Sequence, residues 1–212
     1  MQSAWGGQFE VGGRRLEEIA SNLKPPTCNI LPYALCSMLR PLILAFALSI
    51  VSFGNSFAAD IRLLTNREFF PALEDKVRNA REEIMVSVYL FRTTESQRNL
   101  ARRLREELIS AASRGVRVYV LLEREKGGRK GSSLNEDNAY TARILSKGGA
   151  KVYFDDQDTV THTKVVVIDR RFVFIGSHNF TDSALRWNNE ASVMIDSPQI
   201  AREAASFIKG IE

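Results

Sequence analysis

Cysteine and histidine are scarce in this chain of 212 residues, with two of each. Cys28 and Cys36 both lie near the front, so the stretch from Asp60 onward has no cysteine and no disulfide framework. A cysteine-free region is compatible with an oxidising compartment. The apolar run from Leu42 to Phe53 is about a dozen residues, short of the ~20 that a membrane-spanning helix needs. No internal repeat, low-complexity tract or acidic cluster suited to a metal is present, so no metal and no cofactor is expected. What remains is 44% hydrophobic with a net charge of +4, enough for one compact domain behind a leader. The mild basic balance permits a polyanionic partner, nucleic acid or anionic lipid.

The front of the chain differs from the rest. Met38-Leu39-Arg40, the apolar run and then Gly54-Asn55-Ser56-Phe57-Ala58-Ala59 have the layout of a signal peptide, cleaved after Ala58 or Ala59. Residues 38–59 are therefore expected to be a signal peptide, and residues 1–37 a non-native extension before a true start at Met38. Export to the periplasm or the medium follows, with no stable membrane insertion once the signal is cleaved. The alternative is a chain anchored by residues 41–59.

From residue 60 to 212 the pattern is that of one α/β domain. Short apolar runs at 61–65, 84–90, 116–122 and 151–154 read as strands. Amphipathic spacing predicts helices over 67–81, 96–113, 137–147 and 198–208. Arg98, Arg102, Arg103 and Arg105 are assigned mostly to the outer face of the second. Between strand and helix, residues 123–135 form a Gly- and Lys-rich loop, in which Lys126, Arg129 and Lys130 could follow a phosphate backbone. The expected fold is an α/β/α sandwich on a mixed, mostly parallel sheet.

The chemistry concentrates in Thr161–Phe180, THTKVVVIDRRFVFIGSHNF. Two β-branched runs flank Asp169-Arg170-Arg171, a hairpin pattern, and a turn centred near Arg170 sets residue 162 opposite 178 and 164 opposite 176. His162 and Lys164, two apart on a strand, share a face. Ser177 and Asn179 lie beside them, so the cluster can hold phosphate oxygens while an imidazole nitrogen attacks phosphorus. Asp169 is about seven residues away, ~23 Å of extended chain, and is expected to be structural.

The series His162-x-Lys164, Asp169, Gly176-Ser177-x-Asn179 resembles the HKD signature of the phospholipase D superfamily, of the single-motif small bacterial endonuclease type. The resemblance spans residues 60–212 and implies the same α/β/α fold and a metal-independent phosphodiesterase. One histidine attacks to form a phosphohistidine; a second, from another copy of the motif, protonates the leaving group. His178 is the variable position of Gly-Ser-x-Asn, so the resemblance implies a homodimer with one motif from each chain. It also implies that Glu190, in Trp187-Asn188-Asn189-Glu190, orients His162, and that Lys164 and Asn179 bind phosphate. Arg92, at a strand end, is a further candidate for substrate contact. His178 reads as a neighbour of the site, Phe180 and Trp187 as packing beneath it, and Arg170-Arg171 as a solvated turn. The substrate expected first is nucleic acid, cut as by a nonspecific endonuclease. The alternatives are a phospholipid or cardiolipin phosphodiesterase and a catalytically silent nucleic-acid-binding dimer.

Overall fold

The computed structural model describes residues 59–127, 132–156 and 158–211, with two short pieces nearer the front. The chain divides into two units, Met1–Ser56 and Phe57–Glu212. In the first, Glu10–Val11 pairs antiparallel with Arg14–Arg15. The segment expected to be a signal peptide or anchor, up to residue 58, lies outside the described residues, as do the two cysteines, Arg129 and Lys130.

The second unit holds seven strands: β1 (Asp60–Thr65), β2 (Glu83–Val88), β3 (Arg117–Leu122), β4 (Lys151–Phe154), β5 (Lys164–Ile168), β6 (Phe172–Gly176) and β7 (Ala191–Asp196). They form one sheet in the order β1-β7-β6-β5-β2-β3-β4. Helices α1 (Phe69–Asn79), α2 (Leu100–Ser113), α3 (Leu134–Lys147), α4 (Asp182–Arg186) and α5 (Pro198–Lys209) complete it.

The sheet is mixed, as expected, but among its strands only the β2–β3 and β3–β4 ladders are parallel. The other four neighbouring pairs are antiparallel, so "mostly parallel" does not describe its ladders. The cause is connection length: α2 and α3 are crossovers that return the chain in the same direction, whereas the short β5–β6 link can only reverse it.

Period-2 alternation in the central strands separates two cores. Ile84, Val86, Val88, Val118, Val120, Val166 and Ile168 face the larger one, with α1, α2 and α3. Met85, Leu121, Val165, Val167 and Val173 face the smaller, closed by Ala201 and Ile208 of α5. Each side of β2 and β5 is thus buried, which is why their sequences read as continuous apolar runs.

Local capping moves some boundaries. α2 starts later than its apolar spacing suggests, because the Asn99 side chain accepts the Arg102 N–H at 2.7 Å and Asp182 takes the Leu100 N–H at 2.8 Å. Arg105 departs from its assigned outer face and is buried, its Nη1 donating to Thr93 Oγ1 at 3.0 Å. Helix α4 has no apolar periodicity to announce it; its signal is Thr181, whose hydroxyl accepts the Ala184 N–H at 3.1 Å.

Candidate active site

The β5–β6 hairpin turns through Asp169 and Arg170, with φ of 50° and 52°. The Arg171 N–H donates to Ile168 C=O at 3.0 Å. Two successive left-handed residues match the twist of the strands they join, and Asp tolerates that conformation. Val165 faces Ile175 and Val166 faces Phe174, the register anticipated from the sequence. The same hairpin therefore carries His162, Lys164, Ser177 and Asn179 to the end of the sheet where β2, β3 and β4 finish. Crevices beyond the carboxyl ends of such strands are the usual ligand sites of α/β sheets.

His162 is exposed just before β5, and the Lys164 ammonium bonds its carbonyl oxygen at 2.9 Å. Tyr89, beyond β2, backs both residues. Its ring meets the imidazole edge-on at 4.6 Å, and Lys164 Nζ lies 5.2 Å from its centroid. A hydrogen bond from the Tyr89 N–H to Thr163 C=O at 2.9 Å fixes that strand end beside the motif. Partial burial, with the Lys164 charge adding to it, holds the His162 imidazole below its ordinary pKa. The neutral ring, the form that can attack, is favoured. Burial also lowers the Lys164 ammonium, opposed by the charge of Glu190.

The two histidines differ sharply. His178 is fully buried and stacked on Phe69 at 4.2 Å, its Nδ1 2.7 Å from Ser192 Oγ and its Nε2 3.0 Å from the Asn66 carbonyl. The His162 ring has no hydrogen-bond partner among the described residues. Asn179 Oδ1 is likewise buried without a partner. The exposed ring is open to solvent, and the buried Asn179 acceptor marks a place where a donor such as water supplies what is missing.

Glu190 does not bond His162 here. Its carboxylate accepts from the Ser177 hydroxyl and, at 3.1 Å, from the Asn188 amide, while Ser177 Oγ takes the Ala191 N–H at 3.1 Å. Ser177 and Glu190 thus form a clasp between β6 and β7. Asp169 sits at the opposite end of the sheet. Its carboxylate gathers the N–H groups of Arg81, Glu82 and Glu83 at 2.9, 2.8 and 3.1 Å, pinning the start of β2 to the hairpin tip. Arg170 and Arg171 are ion-paired instead of merely solvated: Arg170 bonds Glu83 at 2.8 Å, and Arg171 grips Asp196 at 2.6 and 2.7 Å.

The sequence reading overlooked Tyr89 and Glu123. Glu123 follows β3, is buried, and accepts the N–H of Thr161, the residue before His162. Burial, reinforced by the Asp155 carboxyl, pushes Glu123 up to about 7. Its only sequence signal is a carboxylate closing an apolar strand. Of the remaining candidates, Lys126 is exposed and paired with Asp158 at 2.8 Å. Arg92 leaves β2 through a hydrogen bond from its N–H to Phe180 C=O at 2.9 Å. Phe180 is buried edge-on to Phe91 at 5.1 Å, as packing requires, but Trp187 is 68% exposed and is not packing beneath the site.

Comparison with known proteins places this arrangement. The family model described as "Cardiolipin synthase, PLD-like domain" matches residues 73–211. A phospholipase D from Rickettsia bellii is 32% identical over 129 residues, 61% of this chain and 56% of that protein. Cardiolipin synthase B from Salmonella typhi is 26% identical over 157 residues, 66% of this chain and 36% of that protein. The matches to the Rickettsia proteins thus span about half their length, 43% in the Rickettsia felis phospholipase D. Among solved structures, Nuc from Salmonella typhimurium, a phospholipase D family member, superposes with a TM-score of 0.60 at 20% identity, over 73% of this chain and 94% of that one. The chain belongs to the phospholipase D superfamily, and its sheet and helices are those of that fold.

Proposed function

We propose that the protein is a phosphodiesterase that works through a covalent phosphohistidine on His162, in a site completed by a second copy of the chain. The observation that carries this is the contrast between its histidines. His162 is exposed, ring-unpartnered and biased to the neutral form, while His178 is buried with both ring nitrogens engaged. A two-histidine reaction therefore needs another His162 from outside the chain.

In the first step a His162 nitrogen forms a bond to phosphorus, and the phosphorus–oxygen bond to the leaving group breaks. The leaving oxygen takes a proton from His162 of the second copy. Water then attacks phosphorus, giving its proton to that second imidazole, and the phosphorus–nitrogen bond breaks. Lys164 and the Asn179 amide supply charge and hydrogen bonds to the phosphate oxygens. Glu123 positions His162 through the Thr161 N–H.

Nucleic acid is the substrate class favoured, because the charges near the site that lack partners are cationic, Arg92 among them. A phospholipid substrate is the second reading. It is supported by Val160, 66% exposed two residues before His162, and by the names of the sequence relatives. The test is hydrolysis of plasmid DNA and of phosphatidylcholine and cardiolipin vesicles by the full chain in excess EDTA, beside His162→Ala. DNA cutting that disappears in the variant supports the first reading and vesicle hydrolysis the second. Activity that survives His162→Ala contradicts both.

A further inference from the structure

Between the chain leaving β2 and α4, a cleft of about 700 Å³ is lined by Arg92 and Arg98 on one side and by Ser183, Arg186 and Trp187 on the other. Its charge is one-sided. Asp182, the one carboxylate in its wall, is occupied by the Leu100 N–H at 2.8 Å and by Arg186 Nη2 at 3.3 Å. The Arg92 and Arg98 guanidiniums have no side-chain partner among the described residues. The walls are nonetheless held: Arg92 by its N–H to Phe180 C=O, and the Arg98 backbone by Ser96 Oγ at 3.3 Å and by Arg186. Confining cations of one sign in a concave surface raises the local concentration of anions.

Trp187 adds a second kind of recognition. Its ring stands 5.8 Å from the Arg67 guanidinium and 5.9 Å from that of Arg186. Arg67 Nε bonds the Arg186 carbonyl at 3.2 Å, which ties down the backbone just before the exposed indole. Guanidiniums beside an exposed aromatic ring suit a ligand with both a phosphate and a planar base. A lipid headgroup offers only the first.

The position also fits. Arg92 is three residues beyond Tyr89, whose ring meets His162 at 4.6 Å, so the backbones of Arg92 and Tyr89 are at most ~10 Å apart, at ~3.3 Å per residue. With the Tyr89 side chain added, the span to His162 is on the order of a few stacked nucleotides at ~3.4 Å each.

We propose that this cleft is a flanking-nucleotide subsite, where Arg92 and Arg98 hold a phosphate a few positions from the scissile one and Trp187 stacks on a base. The inference rests on the phosphodiesterase reading above and narrows it to a polynucleotide substrate.

The test compares two substrates in the full chain: a single-stranded oligonucleotide and bis(p-nitrophenyl) phosphate, a diester too small to reach the cleft. Arg98→Gln and Trp187→Ala are expected to lower kcat/KM for the oligonucleotide at least about tenfold more than for the small diester, through KM. Arg98→Gln should also flatten the fall in affinity between about 50 and 200 mM salt. Equal losses on both substrates, or none on either, would overturn the subsite. Sedimentation of each variant is measured alongside, and a Trp187→Ala protein that loses self-association would overturn the stacking role. If the wild type hydrolyses the small diester but no nucleic acid, the nucleic-acid reading fails separately. The subsite then stands or falls on binding of a labelled oligothymidylate to His162→Ala, expected to weaken about tenfold with Arg98→Gln. Binding of anionic phospholipid vesicles in its place, lost in Arg98→Gln, would assign the cleft to lipid and overturn the proposal.

Discussion

The β5–β6 hairpin has two ends that are built differently. At its tip, polar groups are saturated: Asp169 takes three backbone N–H groups, Arg170 and Arg117 share Glu83, and Arg171 closes on Asp196. At its open end the His162 ring and Asn179 Oδ1 are left without partners among the described residues, as is the guanidinium of Arg92 on the neighbouring chain. The exposed groups are met by solvent, whereas a buried acceptor such as Asn179 Oδ1 is tolerated rarely without a partner. On the proposed function, the same motif divides its residues between holding the hairpin and meeting a ligand, and proximity in sequence does not say which does which.

The sharpest way to break this contrast is to remove one residue from each end. His162→Ala should lower phosphodiester hydrolysis by about 10⁴-fold or more while leaving the urea-unfolding midpoint nearly unchanged. Asp169→Ala should do the reverse, costing about 3 kcal/mol of stability, because three N–H groups lose an ionised acceptor and alanine must adopt a positive φ. Asp169→Asn, which keeps an acceptor and tolerates that φ, should lose less. If Asp169→Ala abolished turnover in a protein of full stability, the assignment of the tip to structure would be wrong.

A second pair of tests concerns protons. The raised Glu123 group favours the protonated form in the fold. Its contribution is complete below the ordinary value of 4.5 and is lost as pH rises through the folded value of about 7. Stability measured by urea unfolding should therefore decline from this group between about pH 4.5 and 7, and Glu123→Gln should flatten that decline. In the site, Lys164→Met removes a cation beside His162, so the imidazole should titrate higher than in the wild type. NMR titration can follow this easily, since there are only two histidines to assign. The smallest effect is expected at the tip's surface pairs: Arg171→Ala, more than half exposed, should cost no more than about 1 kcal/mol.

Much of this site was legible in the sequence because it obeys short-range rules. Period-2 alternation and the Asp169-Arg170-Arg171 turn set the hairpin register, and with it the neighbourhood of His162, Lys164 and Ser177. Long-range features were not legible. Arg105 lies on a helix face assigned to solvent, yet Thr93 and the neighbouring chain cover it; Trp187 follows a helix too short to show periodicity and points outward. Glu123 and Tyr89 approach His162 only because β2 and β3 end beside β5, a consequence of strand order. Glu190 occupies the place in sequence expected of a partner for His162 but clasps Ser177, since the β6–β7 ladder brings those two together first. The sheet's parallel share was overestimated for a similar reason: alternating strands and helices suggest crossovers, but β5, β6 and β7 connect without one across the centre.

The central claim is that each reaction needs His162 from two chains. Wild-type and His162→Ala subunits, mixed in known ratio, unfolded and refolded together, test it directly. If both histidines are required, mixed pairs are dead and activity should follow the square of the wild-type fraction. Activity proportional to that fraction would mean that one chain suffices, and would contradict the account.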